Sequence, residues 1–186
     1  VKMLELTNIN STFNLNNGIK IPCVGYGTFR TPADVAEQAV KEAIETGYRH
    51  IDTAAVYGNE EAVGKGIKDS GIKREDLFVT SKLWNTNRGY EQTKKAFQET
   101  LDRLQMDYLD LYLIHWPANE KQFGDDAAKI NAETWRAMED LYNEGKIRAI
   151  GVSNFMPHHI AELMKTAKVA PAVDQIEVHP GWPHTE

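Results

Sequence analysis

The sequence predicts an α/β fold, a (β/α)₈ TIM barrel preceded by a β-hairpin, and two observations lead to this expectation. Short apolar runs alternate with amphipathic segments along the 186 residues, without a linker or low-complexity stretch, as parallel strands joined by crossover helices require. The turn after the first strand, GYGTFRTP, lacks the Gly-x-Gly-x-x-Gly pattern that usually marks an open nucleotide-binding sheet. The barrel is therefore favoured over the open sheet.

The N-terminal region predicts a hairpin, the first barrel strand and the first helix. In TFNLNNGIKIP, Asn17-Gly18 lies between two extended runs and is a strong hairpin signal. The first strand is expected around Val24–Thr28. Thr31 is the predicted cap of the first helix, Pro32 its first residue, and Gly47 its end. The apolar face of this helix comprises Ala36, Val40, Ala43 and Ile44.

Four further strand-helix units and one more strand follow. The second unit is RHIDTA with NEEAVGKGIKDSG, in which Asn59 is a candidate cap, Glu60 and Glu61 suit the positive end of the helix dipole, and Gly71 closes the helix. The later units are LFVTSKLW with Phe97, Leu101 and Leu104; DLYLIHWP with Trp135, Met138 and Leu141 before Gly145; and AIGVSNF with Ile160, Leu163 and Met164. AVDQIEV is the sixth strand.

The length bears on the domain organisation. A barrel of this type takes about 250 residues and eight strands, so residues 1–186 are expected to form a single barrel domain that is C-terminally incomplete. Two missing units would leave apolar surface in water, at about 25 cal/mol for each square ångström not buried. We therefore expect the studied polypeptide to be longer than this sequence, and an isolated fragment to be unstable or to associate.

Composition narrows the partners. The net charge is -6 and the 21 Lys and Arg residues are scattered, so no basic surface for nucleic acid or anionic lipid is expected. No apolar run approaches the roughly 18 to 20 residues of a membrane span, and the start, VKMLELTNIN, lacks a signal-peptide layout. The single cysteine, Cys23, fits a reducing compartment. We expect a cytoplasmic protein that acts on small molecules.

Candidate functional residues lie at the carboxyl ends of the predicted strands, where α/β barrels carry their reactive groups. Each one alone has an ordinary structural explanation, but together they would face one mouth of the barrel. They are Asp52, with Tyr57 in the turn beyond it, Lys82, His115, Ser153, Asn154 and Gln175.

These residue types suit the reduction of a carbonyl group. A lysine ammonium beside a tyrosine hydroxyl favours phenolate and lowers the tyrosine pKa from about 10, and a carboxylate beside the lysine keeps it charged. Tyr57 then becomes a proton donor near neutral pH, with neutral His115 as a second hydrogen-bond donor to the carbonyl oxygen. Because no amino acid supplies hydride, a nicotinamide cofactor is implied, and Ser153, Asn154 and Gln175 suit its carboxamide.

Six segments resemble successive signatures of the aldo-keto reductase family: GYGTFRT, IDTAAVYGNEEAVGKGI, SKLWNT, DYLDLYLIHWP, GKIRAIGVSNF and DQIEVHP. The resemblance implies reduction of aldehydes or ketones with NADPH, by a tetrad in which Tyr57 is the general acid, Lys82 and Asp52 tune it, and His115 orients the substrate. It makes Ser153, Asn154 and Gln175 the nicotinamide clamp. For the complete chain we expect a monomer.

The resemblance also assigns residues around the substrate. It implies that Gly27, Thr28 and Phe29 lie against cofactor and substrate, and that Trp84 and Trp116 line the substrate pocket, although both tryptophans also suit plain barrel packing. Asp174 departs from the family, which more often has Asn there. The family's nicotinamide-stacking aromatic and its grip on the 2′-phosphate follow the residue equivalent to Gln175, and this sequence lacks both.

Three other functions compete. A Schiff-base aldolase would use Lys82 as its nucleophile, although Asp52 would keep that lysine charged. A metal-dependent hydrolase would bind its ion through His50, Asp52, His115, Glu177 and His179. A non-catalytic, cofactor-binding subunit or inactive fragment would keep the fold without the chemistry.

Overall fold

The computed structural model describes residues 12–14, 19–22, 26–28, 31–84, 88–115, 126–153, 155–172 and 174–175, which form a hairpin and a helix-flanked sheet. The hairpin comprises β1 (Thr12–Asn14) and β2 (Lys20–Pro22). The sheet comprises β3 (Tyr26–Gly27), β4 (His50–Asp52), β5 (Phe78–Leu83), β6 (Leu109–Ile114), β7 (Ile147–Ser153) and β8 (Asp174–Gln175). The helices are α1 (Ala33–Thr46), α2 (Glu60–Asp69), α3 (Tyr90–Leu104), α4 (Ala127–Asn143) and α5 (Pro157–Met164), with 3₁₀ turns at Ala55–Tyr57 and Arg74–Asp76.

The sheet has the topology of a barrel wall. Its six strands are all parallel and follow one another in sequence order from β3 to β8. This order places every crossover helix between neighbouring strands, as in a singly wound (β/α) barrel and unlike a doubly wound sheet, whose strand order reverses. The predicted alternation and the predicted hairpin are confirmed. The hairpin turn Asn17-Gly18 lies outside the described residues.

The core has a layer on each face of the sheet. The larger layer joins the strands to the helices and includes Val79, Tyr112 and Trp135, while a smaller cluster on the other face comprises Phe78, Leu111, Leu113 and Ala149. Neighbouring residues of β5 enter different clusters because successive side chains of a strand point to opposite faces. Ile19, next to the hairpin strand β2, packs against the smaller cluster. No helix in the described ranges is long and apolar enough to cross a membrane.

Two details of the sequence prediction need correction at the start of the sheet. Helix α1 begins at Ala33, and the Pro32 carbonyl, not a Thr31 side chain, accepts its first amide hydrogen bonds, from Val35 and Ala36. The Thr31 carbonyl accepts a hydrogen bond from the side chain of Asn59, 28 residues away. Thr31 therefore makes a tertiary contact and does not cap the helix. The strand expected at 24–28 is described as Tyr26–Gly27, since residues 23–25 lie outside the described residues.

The helix expected around Ile160, Leu163 and Met164 is confirmed as α5. Leu163 is buried, whereas Met164 is 43% exposed.

Helix α2 packs unusually close to both neighbouring helices. A Cβ atom added to Gly64 would lie 2.6 Å from the backbone oxygen of Leu104, the last residue of α3. A Cβ atom added to Gly66 would collide with the backbone oxygen of Glu37 in α1. Only glycine fits at these two positions, so the main chain of α2 sets its distance from α1 and α3.

A buried carboxylate organises the amino ends of the strands. Asp110 in β6 accepts a hydrogen bond from the backbone N–H of Val79 at 2.9 Å, and it forms ion pairs with Arg74 at 2.7 Å and Arg148 at 3.0 Å. Its side chain is 2% exposed. In barrels, this end of the sheet serves stability, because the reactive groups lie at the other end.

Candidate active site

The predicted site residues in the described ranges meet at the carboxyl edge of the sheet. Gly27 of β3 pairs with Asp52 of β4, and Ser153 of β7 pairs with Gln175 of β8. Lys82 is the penultimate residue of β5, and His115 directly follows β6, where its backbone N–H donates to the Leu83 carbonyl at 3.1 Å. Parallel strands bring their carboxyl ends to one edge, which explains how distant residues converge.

Lys82 is the centre of the polar cluster. Its ammonium lies 2.5 Å from the Asp52 carboxylate and 3.4 Å from the Tyr57 hydroxyl, the second being a long hydrogen bond. The Lys82 side chain is 4% exposed and that of Asp52 is 18% exposed. At this depth an ammonium needs a paired anion to offset its lost hydration. Asp52 therefore pairs with the Lys82 ammonium, which lies beside the oxygen of Tyr57.

The backbone beyond β4 brings Tyr57 to this cluster. A 3₁₀ turn, closed by the Tyr57 N–H donating to the Ala54 carbonyl at 3.1 Å, returns the chain towards the end of β5. Gly58 follows in the left-handed region at φ 67°, which an L side chain rarely adopts. This turn lets Tyr57 face Lys82 while the chain enters α2.

Aromatic rings surround His115, which is buried with 3% exposure. The ring of Tyr57 lies edge-to-face with it at a centroid distance of 6.1 Å, and the ring of Trp84 does so at 5.3 Å. The rings of Tyr57 and Trp84 thus both lie beside His115 at the carboxyl edge of the sheet.

The predicted cofactor residues in the described ranges lie beside this cluster. Thr28 is fully buried, and its backbone N–H and its hydroxyl both donate to the Asp52 carbonyl, at 3.0 and 3.2 Å. Gly27 is exposed, and no atom lies within 4 Å of the place where a Cβ would stand. Ser153 is 1% exposed. Gln175 and Asp174 are described as strand residues, whereas Asn154, Phe29 and Trp116 lie outside the described residues.

The geometry bears on two of the competing functions. The ion pair with Asp52 stabilises the charged form of Lys82, whereas a Schiff-base nucleophile must lose its proton. Among the proposed metal ligands, His50 bonds to the Thr80 hydroxyl at 2.8 Å, and Glu177 and His179 lie outside the described residues. Within the described ranges, no three His, Cys, Asp or Glu side chains are grouped as a metal site requires.

Two polar residues of the site have roles that sequence reasoning missed. Asn59 stands at the cap position of α2 but makes no side-chain cap hydrogen bond; its amide donates to the carbonyls of Thr28 and Thr31 at 2.9 and 3.0 Å. Glu60 was predicted as a dipole partner, yet it is 2% exposed. The spacing of Glu60, Val63 and Ile67 on one helical face was the signal that Glu60 points inward.

Glu60 joins α2 to the strand that carries Lys82. It accepts hydrogen bonds from Ser81 at 2.8 Å and from Arg103 of α3 at 2.8 Å. Tyr112 lies nearby in the same layer, and burial, followed by the negative charge of Glu60, raises the pKa of its phenol far above the usual value. Among the described residues, the Tyr112 hydroxyl has no hydrogen-bond partner.

Comparison with known proteins points to one family. The model of the aldo/keto reductase family matches residues 23–185. Glyoxal reductase of Bacillus subtilis is 54% identical over 175 residues, which cover 94% of this chain and 60% of that protein. The 9,11-endoperoxide prostaglandin H2 reductase of Trypanosoma cruzi is 50% identical over 177 residues, covering 92% of this chain and 59% of that protein. The chain spans about 60% of the length of these curated relatives.

Solved structures agree in fold. An aldo/keto reductase from Brucella melitensis superimposes with a TM-score of 0.84 at 50% identity, covering 91% of this chain and 63% of that one. A Bombyx mori aldo-keto reductase in complex with NADP superimposes with a TM-score of 0.84 at 43% identity, covering 92% and 59%. The α/β-barrel expectation is confirmed for the part of the barrel that this chain represents.

Proposed function

This chain belongs to the aldo/keto reductase family, and from that premise we propose that its protein reduces aldehydes or ketones to alcohols with NADPH. The observation that carries the proposal is the cluster of Tyr57, Lys82, Asp52 and His115 at the carboxyl edge of the sheet. A proton donor, a cation that stabilises its conjugate base, and a second polar group meet there around one small space.

Tyr57 is the proposed general acid. As hydride reaches the carbonyl carbon and the C=O π bond breaks, the Tyr57 hydroxyl donates its proton to the oxygen. The ammonium of Lys82, 3.4 Å away, stabilises the phenolate left behind. Asp52 holds that ammonium in place through the 2.5 Å ion pair. Together with the hydride that a bound NADPH would supply, this proton would convert one carbonyl group into one alcohol.

His115 is the proposed orienting residue. Its ring centroid lies 6.1 Å from that of Tyr57, and a substrate carbonyl bound beside the two rings would accept hydrogen bonds from both groups. Two donors aimed at the oxygen stabilise the negative charge that grows there during reduction. Trp84 supports the histidine from the side and offers an apolar wall for the rest of the substrate. By resemblance, Phe29 and Trp116 complete that wall.

The residues present fit a nicotinamide cofactor. The open space above Gly27 admits close approach of a flat ring to the main chain. Ser153 of β7 is buried at the carboxyl edge, and its register partner is Gln175 of β8. By resemblance, Ser153, Asn154 and Gln175 would hold the carboxamide, since hydroxyl and amide groups can both donate to it and accept from it. When bound, the nicotinamide supplies the hydride that no side chain can provide.

Two finer features of the proposal come from relatives. The NADP complex of the Bombyx mori protein supports NADPH as the preferred cofactor over NADH. The name of the Bacillus subtilis relative supports small aldehydes such as glyoxal as substrates to try first. The single cysteine supports a cytoplasmic location. One barrel domain, and a monomer for the complete protein, remain our expectations.

The test is NADPH oxidation in the presence of glyoxal and of an aromatic aldehyde. Removing the hydroxyl with Tyr57→Phe should lower kcat roughly 100- to 10,000-fold, the usual contribution of a general acid. Tyr142→Phe, a half-buried tyrosine of α4 away from the site, is the matched control and should keep wild-type activity. A protein that binds NADPH but reduces neither aldehyde would support the non-catalytic cofactor-binding alternative instead.

A further inference from the structure

We propose that Asn59 is a positioning residue for this reaction, which holds Thr28, Thr31 and the Tyr57 turn in one fixed arrangement. The inference rests on the proposed function, since it names a residue that acts through the proposed acid and cofactor contacts. Asn59 does not touch the reacting atoms. Its side chain is almost completely buried, with 1% of the residue exposed.

The amide of Asn59 clamps both ends of the loop between β3 and α1. One N–H donates to the Thr28 carbonyl at 2.9 Å and the other to the Thr31 carbonyl at 3.0 Å. The Thr31 N–H in turn donates to the Thr28 carbonyl at 3.1 Å. The amide thus ties Thr28, at the carboxyl edge of the sheet, to Thr31, at the start of α1.

The opposite end of the same side chain is tied to the strand that carries Asp52. The Thr53 hydroxyl donates to the Asn59 side-chain oxygen at 3.3 Å, and both residues are buried. Thr28 also contacts this strand, through its two hydrogen bonds to the Asp52 carbonyl. Asn59 therefore spans three elements: the β3–α1 loop, the end of β4 and the start of α2.

Asn59 also stands two residues after Tyr57. Its backbone carbonyl accepts from the Val63 N–H at 2.9 Å, which locks it into the first turn of α2. Only Gly58 separates Asn59 from Tyr57, so a shift of Asn59 would also move the Tyr57 ring. Because reaction rates are sensitive to displacements of about 1 Å, a loose Asn59 should impair proton transfer and cofactor binding together.

The pattern of donors and acceptors around position 59 requires an amide side chain. The side chain must donate to two carbonyl oxygens at one end and accept a hydroxyl at the other, which an amide does and a carboxylate cannot. Asn59→Asp has the same size but would place a carboxylate oxygen against two carbonyl oxygens. Asn59→Ala removes the contacts without adding repulsion, and it is the second variant if the aspartate variant does not fold.

The experiment measures the Kd for NADPH, kcat and the amide exchange of Thr31 in the full protein. We expect Asn59→Ala to weaken NADPH binding about 10-fold and to lower kcat roughly 10- to 100-fold, with faster exchange of the Thr31 N–H. Asn143→Ala, at the end of α4, controls for the change of residue type. Asp110→Ala is the stability control, because Asp110 lies at the amino ends of the strands, away from the site.

The outcomes separate positioning from plain stability. Asp110→Ala should lower the melting temperature yet leave the NADPH Kd, kcat per folded molecule and Thr31 exchange near wild type. If Asn59→Ala behaves in the same way, the positioning role is overturned. A wild-type protein without turnover would refute the proposed function; the positioning role then stands if Asn59→Ala weakens NADPH binding and speeds Thr31 exchange, and falls if NADPH binding is unchanged.

Discussion

Replacing Gly64 with alanine should destabilise the protein even though alanine is the better helix former. Gly64 lies inside α2, where exchanging glycine for alanine ordinarily stabilises by about 0.5 to 1 kcal/mol. The new Cβ would stand 2.6 Å from the Leu104 oxygen and 2.9 Å from its carbonyl carbon. All of these are backbone atoms at the end of α3, so no side chain can rotate away.

The size of the effect follows from the displacement required. Ordinary contact begins at 3.4 Å, so α2 and the end of α3 must separate by the difference from 2.6 Å, about 0.8 Å. Overpacking of this kind costs about 1 to 3 kcal/mol. Subtracting the helix-propensity gain leaves a net loss of about 1 kcal/mol, and at most about 2.5 kcal/mol, in the free energy of unfolding. The steric term wins because α2 is also held on its α1 side at Gly66.

Urea unfolding, followed by circular dichroism, measures this loss through the transition midpoint and slope. Lys65→Ala, an exposed position of the same helix, is the control and should change stability by less than about 0.5 kcal/mol. If Gly64→Ala leaves the free energy of unfolding unchanged, or raises it, then α2 has room to move and the close-packing argument is wrong.

Three further predictions concern buried polar groups. Tyr112→Phe should raise the free energy of unfolding by about 1 kcal/mol. Burial raises the Tyr112 pKa in the folded state, so above about pH 10 only the unfolded chain releases this proton, and the protein loses stability. The phenylalanine variant should lose less stability in that pH range. Asp52→Asn should destabilise the protein by roughly 3 kcal/mol, because it leaves the Lys82 side chain, which is 4% exposed, without its anion. Lys82→Met should cost less, because the Asp52 side chain that it leaves unpaired is 18% exposed. Asp110→Ala should cost roughly 3 to 5 kcal/mol without changing kcat per folded molecule.

Each of these has a control and a contrary result. Tyr142→Phe controls for the loss of a hydroxyl, and an unchanged alkaline stability profile in Tyr112→Phe would contradict a buried, neutral phenol. For the ion pair, the double variant of Asp52 and Lys82 should recover part of the loss; strictly additive losses would mean that the two charges do not interact. A fall in kcat with Asp110→Ala, measured on folded protein, would contradict the separation of the two ends of the sheet.

Much of the fold follows from helical periodicity. The four residues predicted for the apolar face of α1, Ala36, Val40, Ala43 and Ile44, are its buried residues. The sequence pattern fails where the chain makes long-range contacts. Thr31 has the composition of a cap, but its carbonyl is bonded to Asn59, 28 residues away. Local rules cannot anticipate such a contact, because it depends on how two loops meet in space.

The site was partly predictable for a related reason. Strand ends locate Asp52, Lys82 and His115 at one edge, and the distances between Lys82, Asp52 and Tyr57 agree with the proposed tuning of Tyr57. The tertiary contacts of Asn59 and Glu60 were not predicted, because helix capping and the helix dipole already explained an Asn-Glu-Glu run at the start of a helix. The structure uses both side chains for buried tertiary bonds instead.

The close packing of α2 also matters to anyone who wishes to alter this protein. The close main-chain contacts at Gly64 and Gly66 fix α2 on both flanks. Residues 55–67 therefore act as one rigid cassette that holds Tyr57 and Asn59 in place at the carboxyl edge of the sheet. Loops elsewhere around the mouth can be exchanged to seek new substrates while the cassette is left untouched. Insertions within it would displace the acid and the loop clamp together, and a directed library should leave it out.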